Sequence, residues 1–442
     1  MKPIALTLTL AAAALAAGAG LRAETPVPDS LDLKTAVGFA LENNFAIRQA
    51  RERIRQQEGV EITVRARQIP NVAAAGSYTG NAAAISSYAP PGNDRAWSIA
   101  LQARQVLYAG GGVSAAVRGS ALAREAAVLE LQGVINAELL AVRTQYYTVL
   151  LGRERIRVEE ENVRLLAEQL KDAQNRFAAG TTSNFDVLRA EVALANGQPP
   201  LIQARNDYRV AIEQLRQLLG FASSGPDVAK VPEFAGTLEA GAPVTLQLAD
   251  ALAAARAHRP ELQQLARLEQ AGEQNVAASR STYLPEVDLV AGYSWVRGPL
   301  SAAWDARQDG WIAGVQSNWN IFDGRATAGR VVQAKSQLEQ ARLTLADTTL
   351  AIEVQVRQAY SALTEAWELV QASSKTEEQA QEALRLANVR YGAGTATQLD
   401  VLSSQVALTQ ARLNQLQAYY GYSVAQAAVR QAMGQADEYV MP

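Results

Sequence analysis

Side chains that could do chemistry are few in this chain and stand apart from one another. There is no Cys and a single His, His258, which removes a thiol nucleophile, a disulfide framework, a Cys/His zinc site and an iron–sulfur cluster. His258 stands before Arg259-Pro260 with no second His or acidic cluster beside it, so neither a metal nor a catalytic triad finds convergent partners. Gly110-Gly111-Gly112 lacks the Lys-Ser/Thr of a phosphate loop and reads as a strand-to-helix bend. No catalytic, cofactor-binding or metal residue is expected. Two carboxylates remain in matching settings, Asp186 in RFAAGTTSNFDVL and Asp400 in RYGAGTATQLDVL. Each follows a Gly that ends one helix, and each is placed to cap the next by accepting backbone N–H groups.

The elements that must position these acids come in duplicate. LDLKTAVGFALENNFAIRQ from Leu31 is echoed by LQLADALAAARAHRPELQQ from Leu246, an offset of 215; beyond Gly110 it becomes 214 and brings Phe177, Gly180, Asp186 onto Tyr391, Gly394, Asp400. Self-similarity over such a period marks a tandem duplication. The expected first repeat spans 24–220, with a helix at 31–68, strands at 72–88 and 95–108, a long helix at 113–178 and a return helix at 183–220. A connector, 221–245, carries Pro226, Pro232 and Pro243. The second repeat, 246–434, has a helix at 246–283, strands at 287–297 and 310–322, a long helix at 327–391 and a return helix at 397–434, before a tail, 435–442.

The long helices are rods. No Pro occurs from Val113 to Ala178, which at 1.5 Å per residue is roughly 100 Å. The stripe Leu131, Ile135, Leu139, Val142, Tyr146, Val149 steps by 4, 4, 3, 4, 3, one helix face packed lengthwise on its neighbours. Pro199-Pro200 is expected to kink the first return helix.

Residues 1–23 read as a secretory signal peptide: Lys2, a small-and-apolar run from Ile4 to Gly20, and Leu21-Arg22-Ala23 as a processing site. No later stretch offers 18 uncharged apolar residues. With Lys+Arg 41 against Asp+Glu 44, there is no basic field to gather nucleic acid. In the strands, Val287, Leu289, Ala291, Tyr293 and Trp295 alternate with Asp288, Gly292 and Ser294. Trp311, Ala313, Val315, Trp319 and Ile321 do the same in the next strand, as do Trp97, Ile99, Leu101 and Ala103 in the first repeat. An open four-stranded sheet cannot stand in lipid with unsatisfied edges, so copies must close on one another. Trp311 and Trp319 would span ~20 Å vertically at ~40° tilt, and with Trp97, Tyr293 and Trp295 form the candidate membrane girdle.

The duplicated helix–strand–strand–long helix–turn–helix, with LDLKTAVGFALENN, VLYAGG and IFDGR closing the strand pairs and YGAGTATQLDVL at the turn, resembles the TolC-type outer membrane efflux protein family (outer membrane factor). The resemblance implies a mixed α+β homotrimer. Its twelve-stranded transmembrane β-barrel, four strands per chain, would continue into a periplasmic α-helical barrel of twelve tracks. It implies an outer-membrane channel-tunnel of a tripartite efflux or type I secretion system. Its partners would be a periplasmic adaptor (membrane fusion) protein, an inner-membrane pump of RND, ABC or MFS type, and outer-membrane lipid. Asp400 would ring the periplasmic constriction. Ser403 stands where some relatives have a second aspartate. Tyr391 and Asp186 match positions that link neighbouring hairpins, while the position of the partnering arginine holds Ala396. The tips Gly180-Thr181 and Gly394-Thr395 would dock the adaptor. The competing reading, a periplasmic coiled-coil adaptor or scaffold, shares long hairpins but not the alternating Trp-bearing strands.

Overall fold

The computed structural model describes residues 30–80, 95–221, 232–297, 308–437 and 439; residues 1–29, 81–94, 222–231, 298–307, 438 and 440–442 lie outside them. After the short strand β1 (Ser30–Leu31), the first repeat runs α1 (Leu33–Asn43), α2 (Phe45–Arg65), β2 (Asn71–Gly80), β3 (Arg95–Ala109), α3 (Gly112–Ala178) and α4 (Asn184–Leu219). A second short strand, β4 (Glu233–Phe234), precedes α5 (Leu248–His258), α6 (Pro260–Ser281), β5 (Glu286–Arg297), β6 (Gln308–Asn318), α7 (Ala326–Gly392) and α8 (Gln398–Ala432). Among the described residues no helix is long and apolar enough to cross a membrane.

The strands β2-β3-β5-β6 form one antiparallel sheet. Its register puts Tyr78 opposite Trp97, Leu101 opposite Tyr293 and Tyr293 opposite Trp311 on one face. Ser77 lies opposite Ser98, Gln102 opposite Gly292 and Asp288 opposite Gln316 on the other. The period-2 alternation thus divides the sheet into an apolar, aromatic face and a small, polar one. On the polar face Arg104 donates to Asp288 Oδ2 at 2.5 Å. Gly110 and Gly111, at φ +58° and +79°, turn β3 into α3.

Each 67-residue rod is flanked by two shorter helices end to end. Towards the sheet α3 packs on α2 and α6, joined by Arg124–Glu61 and Arg267–Glu125 ion pairs. Farther along, α4 lies against α3, with Gly152 under Tyr208 and Gly197 under Leu166. In the second repeat α7 takes α6 and then α8, and α3 meets α8 across the repeats. Two main cores result, one in each repeat, the second richer in Ala. Leu139, Val142, Tyr146 and Val149 pack with Leu31, Val37, Ile212, Leu215 and Phe234. Ile352, Val356 and Leu363 pack with Ala251, Leu262, Tyr422 and Val429.

Several boundaries differ from expectation for local reasons. The helix expected at 31–68 breaks at Asn44, whose side chain accepts from Ala46 N and Ile47 N and donates to Leu218 O and Glu138. A side chain that competes with the backbone in this way ends one helix and starts another. The helix expected at 246–283 breaks at Arg259, with φ −65° and ψ 118°, ahead of Pro260. The strand expected at 72–88 is β2 as far as Gly80, residues 81–88 lying outside the description. The strand expected at 310–322 ends at Asn318, leaving Trp319 and Ile321 beyond the ladder. Pro199 and Pro200 lie within a helix that continues through both. The connector is more than a tether: β4 pairs in parallel with β1, and Arg153 donates to Phe234 O and Gly236 O, both at 2.7 Å. Tyr146 donates to Leu31 O and Ala235 O, and Tyr422 bonds Ala242 O and Val244 N. Burial pushes the Tyr146 phenol up to about 12.

The two helix breaks receive the ends of the return helices. Gly220, at φ +74°, caps α4 where a Cβ would stand 2.4 Å from Asn43 O; Gly434, at φ +71°, would meet the His258 carbonyl carbon at 2.7 Å. Both the left-handed backbone and the close approach require glycine. Gly220→Ala is expected to destabilise the protein by about 2 kcal/mol or more, checked by denaturant unfolding in detergent followed by circular dichroism. A loss below half of that would show that the break can shift away from the cap.

Candidate functional site

At the ends of the rods farthest from the sheet, the two repeats build the same turn. After α3, Gly180 at φ +73° lets Gly180 N reach Phe177 O (2.9 Å) and Thr181 N reach Arg176 O (2.9 Å). After α7, Gly394 at φ +72° does likewise, with Gly394 N on Tyr391 O (3.1 Å) and Thr395 N on Arg390 O (2.9 Å). The last carbonyls of each rod are satisfied in this way. The hydroxyls of Thr181 and Thr395 turn back onto Arg176 O and Arg390 O. Each tip is exposed from the end of the rod through the glycine to the following threonine, with open space within 4 Å of a Cβ built at Gly180 or Gly394.

Asp186 and Asp400 both close capping boxes. Ser183 Oγ and Thr182 Oγ1 donate to Asp186 Oδ2 at 2.7 and 2.8 Å, while Asp186 N donates to Ser183 Oγ. Thr397 N and Oγ1 donate to Asp400 Oδ2 at 2.7 and 2.8 Å, and Asp400 N donates to Thr397 Oγ1. These bonds favour the charged form. The Ser183 and Thr182 hydroxyls hold the Asp186 carboxyl below the usual range, and the Thr397 backbone N–H followed by its hydroxyl does so for Asp400. The cap and a fixed negative charge coexist, since each box uses only Oδ2. Ser403 bonds back to Asp400 O at 3.0 Å and adds no charge.

The structure does not join Tyr391 to Asp186: among the described residues no hydrogen bond links them within a protomer. The Arg176 guanidinium instead lies 4.5 Å from the centroid of the Tyr391 ring, a cation–π contact, and Arg176 Nε donates to Asp172 Oδ2 at 2.9 Å. Burial pushes the Tyr391 phenol up, against the lowering effect of Arg176. Deeper along the same seam Gln405, only 1% exposed, donates from Nε2 to Asn162 O and Oδ1, and accepts from Gln169 Nε2. Sequence reasoning missed Arg176, Asn162, Gln169 and Gln405. One signal was available: Gln398 and Gln405 interrupt the stripe Val401, Leu402, Leu408, Ala411 seven residues apart, marking polar groups on a buried face.

At the other end of the molecule, Trp97, Tyr293, Trp295 and Trp311 cluster near the far end of the sheet, with Tyr293 and Trp295 ring centroids 4.8 Å apart. Trp319 lies at the junction with the helices, and its indole N–H donates to Tyr283 O at 3.1 Å. His258 is the last residue of α5, and among the described residues no group of three acidic or His side chains could hold a metal.

Comparison with known proteins agrees with this architecture. A family model described as outer membrane efflux protein matches residues 37–221 and 251–435, two spans offset by 214 residues. The chain is 26% identical to the alkaline protease secretion protein AprF of Pseudomonas aeruginosa, over 69% of this chain and 63% of AprF, so it spans slightly less than two thirds of that relative. It is 27% identical to the outer membrane efflux protein BepC of Brucella suis, over 91% of this chain and 85% of BepC. Its fold is that of the outer membrane protein VceC from Vibrio cholerae, with a TM-score of 0.77 at 19% identity over 91% and 96% of the two chains. It is also that of the MtrE outer membrane channel of Neisseria gonorrhoeae, with a TM-score of 0.74 at 18% identity over 91% and 89%. The matched spans, which contain both helical hairpins and both strand pairs, establish that the chain belongs to the outer membrane efflux protein family.

Proposed function

We propose that the protein is the outer-membrane channel-tunnel of a tripartite efflux or type I secretion system, with no chemistry of its own. The observation that carries this reading is an open four-stranded sheet, apolar and aromatic on one face, leading into rods of roughly 100 Å. Edges β2 and β6 must be paired in lipid, and three copies give twelve strands around a polar lumen. Trp97, Tyr293, Trp295, Trp311 and Trp319 serve as the girdle. The tips around Gly180-Thr181 and Gly394-Thr395 meet a periplasmic adaptor that links the tunnel to an inner-membrane pump. The test is single-channel recording of the purified oligomer in planar bilayers. Discrete conductance steps are expected; a monomer with no pore would end the proposal.

The tips are the gate in this reading, with Asp400 facing the lumen and Asp186, Tyr391 and Ser403 at its base. Arg176 supplies the link between hairpins that Ala396 cannot. Arg176→Ala is accordingly expected to raise the closed-state conductance severalfold, whereas Tyr391→Phe keeps the ring and leaves it near wild type. The same recordings decide it: a rise with Tyr391→Phe and none with Arg176→Ala would give the link to the phenol instead.

A further inference from the structure

A cleft opens in the seam between the two hairpins, lined by Glu168, Gln169, Asp172, Tyr391, Gln398 and Gln405. Its polarity is set by one hydrogen-bond chain. Asn162 O can only accept, so Gln405 must turn Nε2 towards it. Gln405 Oε1 then faces Gln169, which must present Nε2, leaving Gln169 Oε1 buried without a partner. Gln398, 7% exposed, likewise keeps a buried Oε1 without a partner. Asp172 and Glu168 lie at the more exposed rim. Arg176 and Arg164 engage Asp172 Oδ2 and Glu168 Oε1, which leaves each carboxylate a second oxygen. The cleft therefore presents oxygen acceptors, two carboxylate and two amide, beside the apolar Leu165, Leu384 and Val401, and leaves two amide carbonyls to bear the cost of burial.

We propose that this cleft binds a compact cation that offers hydrogen-bond donors or accepts hard oxygen ligands: a hydrated divalent metal ion or a primary ammonium group. Carboxylate and amide oxygens are the donor set of such ions. The site joins α3 to α7 and α8, is distinct from Asp400, and its occupancy does not depend on whether the tips gate a channel.

Terbium(III) serves as the probe, because Tyr391 in the lining can sensitise its emission. The detergent-solubilised oligomer should show saturable tyrosine-sensitised luminescence. Asp172→Asn combined with Glu168→Gln, and separately Gln398→Leu, should each raise the half-saturating concentration about tenfold or more. Glu213→Gln, an exposed carboxylate on α4 away from both the cleft and the tips, should leave it unchanged. Magnesium or 1,4-diaminobutane displacing terbium supports the site and tells its source, metal or ammonium, by which acts at the lower concentration. Absence of saturable luminescence, or unchanged half-saturation in both cleft variants with wild-type circular dichroism, would overturn the proposal and leave a cleft filled by water.

Discussion

Asp400→Asn oligomers in planar bilayers are expected to require at least about tenfold more divalent cation for half-block than the wild type, a difference of about 1.4 kcal/mol in binding. In the proposed trimer three Asp400 carboxylates meet at the narrowest part of the lumen, and the hydrogen bonds from Thr397 hold each one ionised. Three like charges at close range attract a divalent ion more than one does and repel each other when it leaves. Asparagine retains an oxygen to accept from Thr397 N, so the capping box and the turn persist and the lost charge is what the recording reads. With Ser403 contributing only a hydroxyl bonded to Asp400 O, the wild-type block rests on a single acidic ring. Asp186→Asn, in the matching box of the other hairpin, is the control. Equal block in wild type and Asp400→Asn would remove Asp400 from the lumen.

Much of the fold was legible because its signals are local or repeated. The 3.6-residue stripe on α3, the glycines ending both rods and the Thr/Ser…Asp boxes are short-range patterns, and the duplication let each repeat check the other. The alternation in β3, β5 and β6 was equally local. What escaped is set by distant contacts. Asn44 breaks a helix because it bonds Leu218 O, 174 residues away, and nothing between Leu31 and Gln68 announces this. The connector becomes a strap because Tyr146 and Arg153 reach its carbonyls. At the site, both carboxylates and both turns were found from their motif. Arg176 was not, since an arginine in the last turn of a helix is common and only the tertiary fold lays it over Tyr391. Gln405 could have been noticed as a polar residue on an apolar stripe, but its partner Asn162 lies in the other repeat.

The tail, expected to be a mere C-terminal extension, supplies the largest stability effect. Arg143, 6% exposed in α3, donates from Nε and Nη2 to Asp437 Oδ2 and Oδ1 at 2.5 and 2.8 Å, and its guanidinium lies 4.9 Å from the Tyr439 ring centroid. This fork ties the end of the second repeat to the middle of the first. Asp437→Asn keeps the shape but removes the carboxylate charge that faces a buried guanidinium, which costs about 3 kcal/mol; replacing Arg143 and Asp437 together by Met and Leu should recover most of it. The dependence on acidity has a definite sign. Burial pushes the Asp437 carboxyl up, yet Arg143 and the Tyr439 N–H outweigh it and hold the carboxyl below its ordinary value. A folded value lower than the unfolded one gives stability that is present above about pH 4 and lost as the pH falls through the folded value. Denaturant unfolding should therefore separate wild type from Asp437→Asn at neutral pH and bring the two curves together in acid. A gap that persists unchanged into acid would mean that the asparagine disturbs packing rather than charge.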